Sequence, residues 1–393
     1  MQRQVLAPRQ TVLRAVGRRE WAGHDVLDMV FKHLRVHPDM DGGGARVAEK
    51  TAEPSAPPTR SRPLPIPVIA GGLAAIGAAA VVVLLTGRGA THNASVIVPV
   101  SKNPFGVALD TGTRTAYVTN SGDNTVSVID GSTHTVTATV PVGRKPEGVA
   151  ADPSTHTVYV ANRGDNAVSV IDGSKRTVTA TVPVGRNPAA VAVDPGTHTV
   201  YVANRDDNTL SVIDGSTRTA TVPVGKNPVA VAVDPGARAV YVANCGDNTV
   251  SVIDGSTHTL TATAWAGSCP SGVAVDPGTH AVYVADKDGA AVSVIDGSTR
   301  TITATVHVGG SPLGVAVDPK THSVFVSDSR GWTVSVIDGP RHTVTATMAE
   351  RPRDIRRVEF GGLAPSGLAV DPGSHTVYVA NRGDASVWVF EHR

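Results

Sequence analysis

Aromatic side chains make up only 4% of this 393-residue chain. A core built on large rings is therefore excluded, and the buried interior has to come mostly from Val, Ile and Ala. Those side chains suit sheets packed face to face, with the smallest residues where packing is most crowded. Cysteine is scarcer still, with Cys245 and Cys269 as the whole supply. There is no CxxC pattern, no phosphate-binding glycine loop and no Ser-His-Asp motif; the glycines fall in turns. An excess of one charge is also missing. The formal net charge is +1, which argues against nucleic acid as a partner of the whole chain. The balance is uneven, since residues 1–65 carry about +4 and residues 95–393 about −4.

Long apolar runs are absent with one exception. Residues 64–86 read LPIPVIAGGLAAIGAAAVVVLLT and contain no charge. Ile66 to Thr86 is 21 residues, about the span of a bilayer core, and predicts a transmembrane helix. A secretory signal fits poorly, because some 65 residues precede the run. Arg46, Lys50, Arg60 and Arg62 lie before it and Arg88 after it, which places the N-terminus in the cytoplasm and the rest outside. Residues 1–40 are expected to form a small helical cytoplasmic segment, with Val26, Leu27, Val30, Phe31 and Leu34 on one helix face. Residues 41–63 are rich in Gly, Pro and Ala and are expected to be a flexible linker.

One phrase occurs seven times. Its copies begin at Tyr117, Tyr159, Tyr201, Tyr241, Tyr283, Phe325 and Tyr378, and read YVTN, YVAN, YVAN, YVAN, YVAD, FVSD and YVAN. The intervals are 42, 42, 40, 42, 42 and 53 residues. A period near 40 with alternating apolar and polar positions predicts a β-propeller, one blade per repeat. Within residues 187–225 four strands are expected: Pro188–Asp194 near the axis, Thr199–Asn204, Leu210–Asp214 and Thr219–Val224 at the rim. The single 40-residue interval preserves strand register, because side chains alternate with period two. Ser95–Val100 resembles a rim strand, whereas the chain ends on a third strand around Val387–Phe390. The N-terminal segment is thus expected to complete the last blade, giving an all-β, seven-bladed propeller of four-stranded blades over residues 95–393.

The repeats resemble the YVTN β-propeller family, and the likeness includes the flanking Pro-x-x-Val-Ala-Val-Asp-Pro and Val-Ser-Val-Ile-Asp-Gly phrases. That resemblance implies a surface-displayed or secreted propeller. Lactonases of the phosphogluconolactonase type and streptogramin lyases are seven-bladed relatives in fold, and supply the enzyme alternative.

The lead-ins to the inner strands read PFGVA, PEGVA, PAAVA, PVAVA, PSGVA, PLGVA and PSGLA. Only Glu147 among them ionises. A metal-dependent site would need several carboxylates, amides or imidazoles there, so no metal, no cofactor and no catalytic residue is assigned. Basic residues do gather on this top face. Arg163, Arg205, Lys287 and Arg382 follow the repeated Asn or Asp; Arg144, Arg186 and Lys226 precede the inner strands. Nearby Asp165, Asp206, Asp207 and Asp288 favour mutual neutralisation. An insertion around Met348–Gly362 adds Arg353 and Arg356 and is a natural partner loop. The ring Asn120, Asn162, Asn204, Asn244, Asp286, Asp328 and Asn381 either lines a funnel or, by the favoured reading, holds its own turns. His134, His156, His198, His258, His280, His322, His342 and His375 fall in turns on the opposite face, too scattered to share one ion. Cys245 and Cys269 both replace repeat residues on one face of adjacent blades, which predicts a disulfide in an exported domain. The combined expectation is a single-pass, membrane-anchored binding or scaffold module for a protein, anionic glycan or cell-wall polymer. The alternative is a lactonase or lyase with a metal-dependent site at Glu147, and a third reading makes residues 10–36 a cytoplasmic signalling segment.

Overall fold

The computed structural model describes residues 90–92, 94, 96–349 and 365–391. The expected cytoplasmic segment, linker and membrane span lie outside them, as do Arg353 and Arg356. Among the described residues no helix is long and apolar enough to cross a membrane.

Seven antiparallel sheets form the ring. Blades one to six occupy residues 104–141, 146–183, 188–223, 228–265, 270–307 and 312–349, each with four strands in sequence order from axis to rim. Blade seven uses residues 365–391 for three strands and takes its rim strand from Val96–Pro99, with Val98 opposite Val387. The N-terminal segment therefore closes the circle. Blade six also gains a fifth strand that the repeat pattern does not announce. Ala90–His92 runs parallel to Thr343–Ala349, with Ala90 opposite Ala346. Three residues carry no strand signal of their own. The unpaired backbone of a rim edge supplies the partner.

The strands follow from their side chains. The second strands are buried on both faces, so Val158, Tyr159, Val160 and Ala161 form a continuous apolar run. Rim strands such as Thr177–Pro183 are mostly exposed, and their threonines face water. The shortened third repeat also has a local explanation. In blade two Asp172 pairs with Thr177 across a four-residue turn, whereas in blade three Asp214 pairs with Thr217 across two residues. Gly215 takes φ +59° in that turn, which side chains disfavour and two-residue hairpins require. Removing two residues shortens the hairpin and leaves both strands in register.

The repeated phrase holds blades together. Tyr201 Oη donates to the Gly255 carbonyl of the next blade at 3.2 Å, and Tyr378 Oη to Gly131 at 3.4 Å. A Cβ on Gly173 would lie 2.6 Å from Tyr117 Oη and 2.6 Å from the His156 carbonyl, so the Asp-Gly turn needs glycine to receive its neighbour's ring. The asparagine serves its own blade. Asn204 Nδ2 donates to Thr209 and Ser211 hydroxyls at 3.1 and 2.9 Å, and Asn162 Nδ2 to Ser169 at 2.8 Å. These asparagines are fully buried and do not line a funnel.

On the opposite face, all eight turn histidines adopt φ between +52° and +60°, a region His tolerates better than most residues. Five of them also bridge blades. His156, His198, His280, His322 and His375 place Nδ1 2.5–2.8 Å from Asp110, Asp152, Asp234, Asp276 and Asp318 of the preceding blade. Each carboxylate is nearly free of solvent contact. In Asp152 one oxygen accepts from the Ser154 amide and hydroxyl, and the other faces His198. Burial opposes ionisation of Asp152, but the Ser154 and His198 hydrogen bonds outweigh it and hold the group at about 2 against a usual 3.8. A depressed carboxyl stabilises the fold above its unfolded value, and that contribution is lost as pH falls toward 2. Asp152→Asn should therefore flatten the loss of stability between pH 4 and 2 relative to the parent chain. Urea midpoints at pH 4.5, 3 and 2 measure this. Parallel curves would show that the carboxylate contributes nothing there.

Candidate functional site

The inner strands surround a central cavity of about 800 Å³. Its wall is small and apolar at depth, because the inner strands approach each other closely. A Cβ on Gly106 would fall 2.5 Å from the Glu147 carbonyl, and one on Gly272 2.3 Å from that of Leu313. Inner strands of neighbouring blades share no backbone ladder, so hydroxyls bridge them instead. Thr119 Oγ1 donates to the Glu147 carbonyl at 2.7 Å, and Ser366 Oγ to that of Phe105 at 2.9 Å.

The top-face cations divide into two sets. The outer set is neutralised within its own loops. Arg144 Nε reaches Asp165 at 2.5 Å, Arg186 Nε reaches Asp207 at 2.6 Å, and Lys226 Nζ lies 3.7 Å from Asp247. Each acid also accepts the backbone amide of its partner, so these pairs brace the loop ahead of each inner strand. The inner set is Arg163, Arg205, Lys287 and Arg382, and all four line the cavity. They arise from one repeat position, the residue after the buried Asn or Asp, which the second strand points toward the axis. Blade four carries Cys245 there, blade six Ser329 and blade one Ser121.

Among the described residues Glu147 is the only carboxylate in the cavity wall. It is buried, and its Oε1 accepts from Arg163 Nη1 at 2.8 Å. Among the described residues its Oε2 has no hydrogen-bond partner, and neither have the Nε groups of Arg205 and Arg382. The Arg382 guanidinium lies over the Phe105 ring, 3.9 Å from the centroid. Burial lowers the Arg382 pKa; Glu147 opposes the shift, while the like charge of Arg205 adds to it. One acid thus faces four bases, and only one of those bases is paired with it. The arrangement attracts anions and repels metal ions. Among the described residues no group of three His, Cys, Asp or Glu comes together that could hold a metal. Glu147 sits as the counter-ion of Arg163, so the residues present do not fit a divalent cation on the axis.

Cys245 and Cys269 form a disulfide that joins blade four to blade five, and both line the same cavity. The alternation of residue types marks the inner and outer cations equally. Their different fates depend on how far each position lies from the axis, which no local pattern records. The pairing of Glu147 with Arg163, 16 positions away, has a traceable signal: Glu147 alone departs from the uncharged residues at its repeat position, in a blade whose second strand is followed by a base. Arg163→Ala should leave a buried carboxylate without its donor and cost about 2 kcal/mol. A Glu147→Gln change in the same chain should restore part of that loss in chemical denaturation. Strict additivity of the two changes would show that the pair is not coupled.

Residues 87–223 match the family model described as lactonase, 7-bladed beta-propeller, a stretch that covers the closing strand and the first three blades. No curated protein matches the chain. Among solved structures, a chain of Kuenenia stuttgartiensis hydrazine synthase is similar, with a TM-score of 0.66 and 20% identity over 74% of this chain and 96% of that one. At that identity the likeness concerns the fold alone. Repeat phrases, blade count and the match over residues 87–223 agree on a seven-bladed β-propeller that is similar to the lactonase family in that stretch.

Proposed function

We propose that this chain is a membrane-anchored binding propeller whose central cavity receives an anionic group of an extracytoplasmic glycan or wall polymer. The observation that carries the reading is the imbalance in the cavity: among the described residues, Arg163, Arg205, Lys287 and Arg382 stand against Glu147 alone. Cationic side chains on low-dielectric walls raise the local concentration of anions. Guanidinium groups with unused donors suit carboxylate or phosphate oxygens. The uncharged stretch Ile66–Thr86 supports the anchor, and a disulfide supports an oxidising compartment outside the cytoplasm.

Catalysis of the lactonase kind finds less support. The one acidic side chain in the cavity is engaged by Arg163, which lessens its use as a general base. Thermal unfolding of the full-length chain separates the readings. An acidic oligosaccharide should raise the midpoint, a neutral one of equal length should not, and the rise should fade with salt. Arg205→Ala and Arg382→Ala should each weaken binding about tenfold. Arg144→Ala should change it little, because that side chain is committed to Asp165. A chelator-reversible shift with divalent metal, together with turnover of a lactone, would replace binding by the enzyme reading. A shift with acidic peptide but not acidic saccharide would make the partner a protein.

A further inference from the structure

We propose that the Cys245–Cys269 disulfide is a thiol-exchange site for small anionic thiols admitted to the central cavity. The inference rests on the reading of the cavity as an anion site and adds a covalent step to it. Three observations lead there.

The first is position. Cys245 occupies the ring slot that holds Arg163, Arg205, Lys287 and Arg382 in other blades, so the sulfur stands among cations rather than beneath them. Both cysteines are half-buried and line the cavity, which makes the S–S bond approachable from inside it.

The second is redundancy. The loops that carry the two cysteines are held by the same bonds as their sisters. The Cys269 amide donates to Asn248 Oδ1 at 2.8 Å, as Asn187 does to Asn166 and Asn227 to Asn208, each at 2.9 Å. The Cys245 amide donates to the Asn227 carbonyl at 3.1 Å, as the Arg205 amide does to Asn187. Those sister junctions keep their geometry with no cross-link. The disulfide is therefore an addition to a frame that stands without it, and opening it leaves the blades in place.

The third is electrostatic. The ring residues on the flanking blades are Arg205 and Lys287, and the Lys287 amide donates to the Cys269 carbonyl at 3.3 Å. Positive charge favours the thiolate that leaves when a disulfide opens, and it draws in a thiol that carries carboxylates. The step balances without an oxidant or reductant beyond the thiol itself. The incoming thiolate forms an S–S bond to one protein sulfur, the Cys245–Cys269 bond breaks, and the other sulfur departs as a thiolate. The product is a mixed disulfide plus one free cysteine. Attack by that cysteine on the mixed disulfide releases the small thiol again.

The test uses the full-length chain, with both cysteines retained throughout. Glutathione, 2-mercaptoethanol and cysteamine, which are anionic, neutral and cationic, are supplied at equal thiolate concentration. The reaction is quenched with acid and read by intact mass. Glutathione should give one adduct per chain and react about tenfold faster than cysteamine at low salt, and the ratio should fall toward one at high salt. Lys287→Ala combined with Arg205→Ala should remove the preference while leaving the cysteamine rate in place or raised. S-methylglutathione, which cannot exchange, reports on the anion site alone through its thermal shift. If S-methylglutathione binds and no adduct forms, exchange is refuted and the anion site stands. If cysteamine reacts as fast as glutathione and S-methylglutathione produces no shift, both readings fall. An adduct that forms only after denaturation would show that the bond is closed to the cavity and would also overturn the proposal.

Discussion

Six of the seven inner strands in this ring lead into an aspartate that is almost wholly withdrawn from water, and an isolated blade could not keep it there. A buried carboxylate is tolerable only when both oxygens find donors. In Asp152 one oxygen serves the turn that follows its own strand, and the other faces His198 of the next blade. Burial thereby becomes a reason for blades to associate. The same logic governs Tyr201 and Tyr378, whose hydroxyls reach glycine carbonyls one blade further on. Polar contacts on the face opposite the cavity mouth thus add to the cohesion of a Val-rich interface between blades, five of them through histidine.

Such a ring frees its axis for other uses. The inner strands do not ladder with one another, so the space between them is fixed by hydroxyl bridges and by the absence of side chains at positions such as Gly106 and Gly272. What lines that space is decided by a few departures from the repeat. Glu147 replaces a small residue, Cys245 replaces a base, and Phe105 supplies a ring for Arg382. Structural demand at these positions is low, because the frame is already satisfied by backbone and neighbouring side chains. They are accordingly the places where unlike chemistry accumulates. The unmatched donors of Arg205 and Arg382 represent polar capacity that the fold does not use for itself.

The outer and inner cations show how position alone divides similar residues. Arg144 lies in the connector that leads into the blade of Arg163, and both belong to top-face loops. Arg144 meets Asp165 at the rim of the face and braces a loop. Arg163 meets Glu147 in the wall of the cavity, where burial makes the pairing matter more. Exposed pairs of the first kind contribute little to stability. Their value lies in holding the backbone amides ahead of each inner strand, and so in shaping the mouth through which a ligand would pass.

The sequence by itself determined the blade count, the strand order, the closing N-terminal strand and the nearness of Cys245 to Cys269, because all four depend on period and register. A repeat of 42 residues with period-two alternation admits few other solutions. It also placed the histidines in turns, since His is among the residues that accept a left-handed backbone. Only the tertiary structure decided which basic residues face the axis, that five of those histidines clamp the preceding blade, and that Ala90–His92 adds a strand to blade six. Each of these depends on a neighbour some 40 or more positions away, or at the far end of the chain. Local pattern records what a residue can do; the closing of the ring selects which partner it meets.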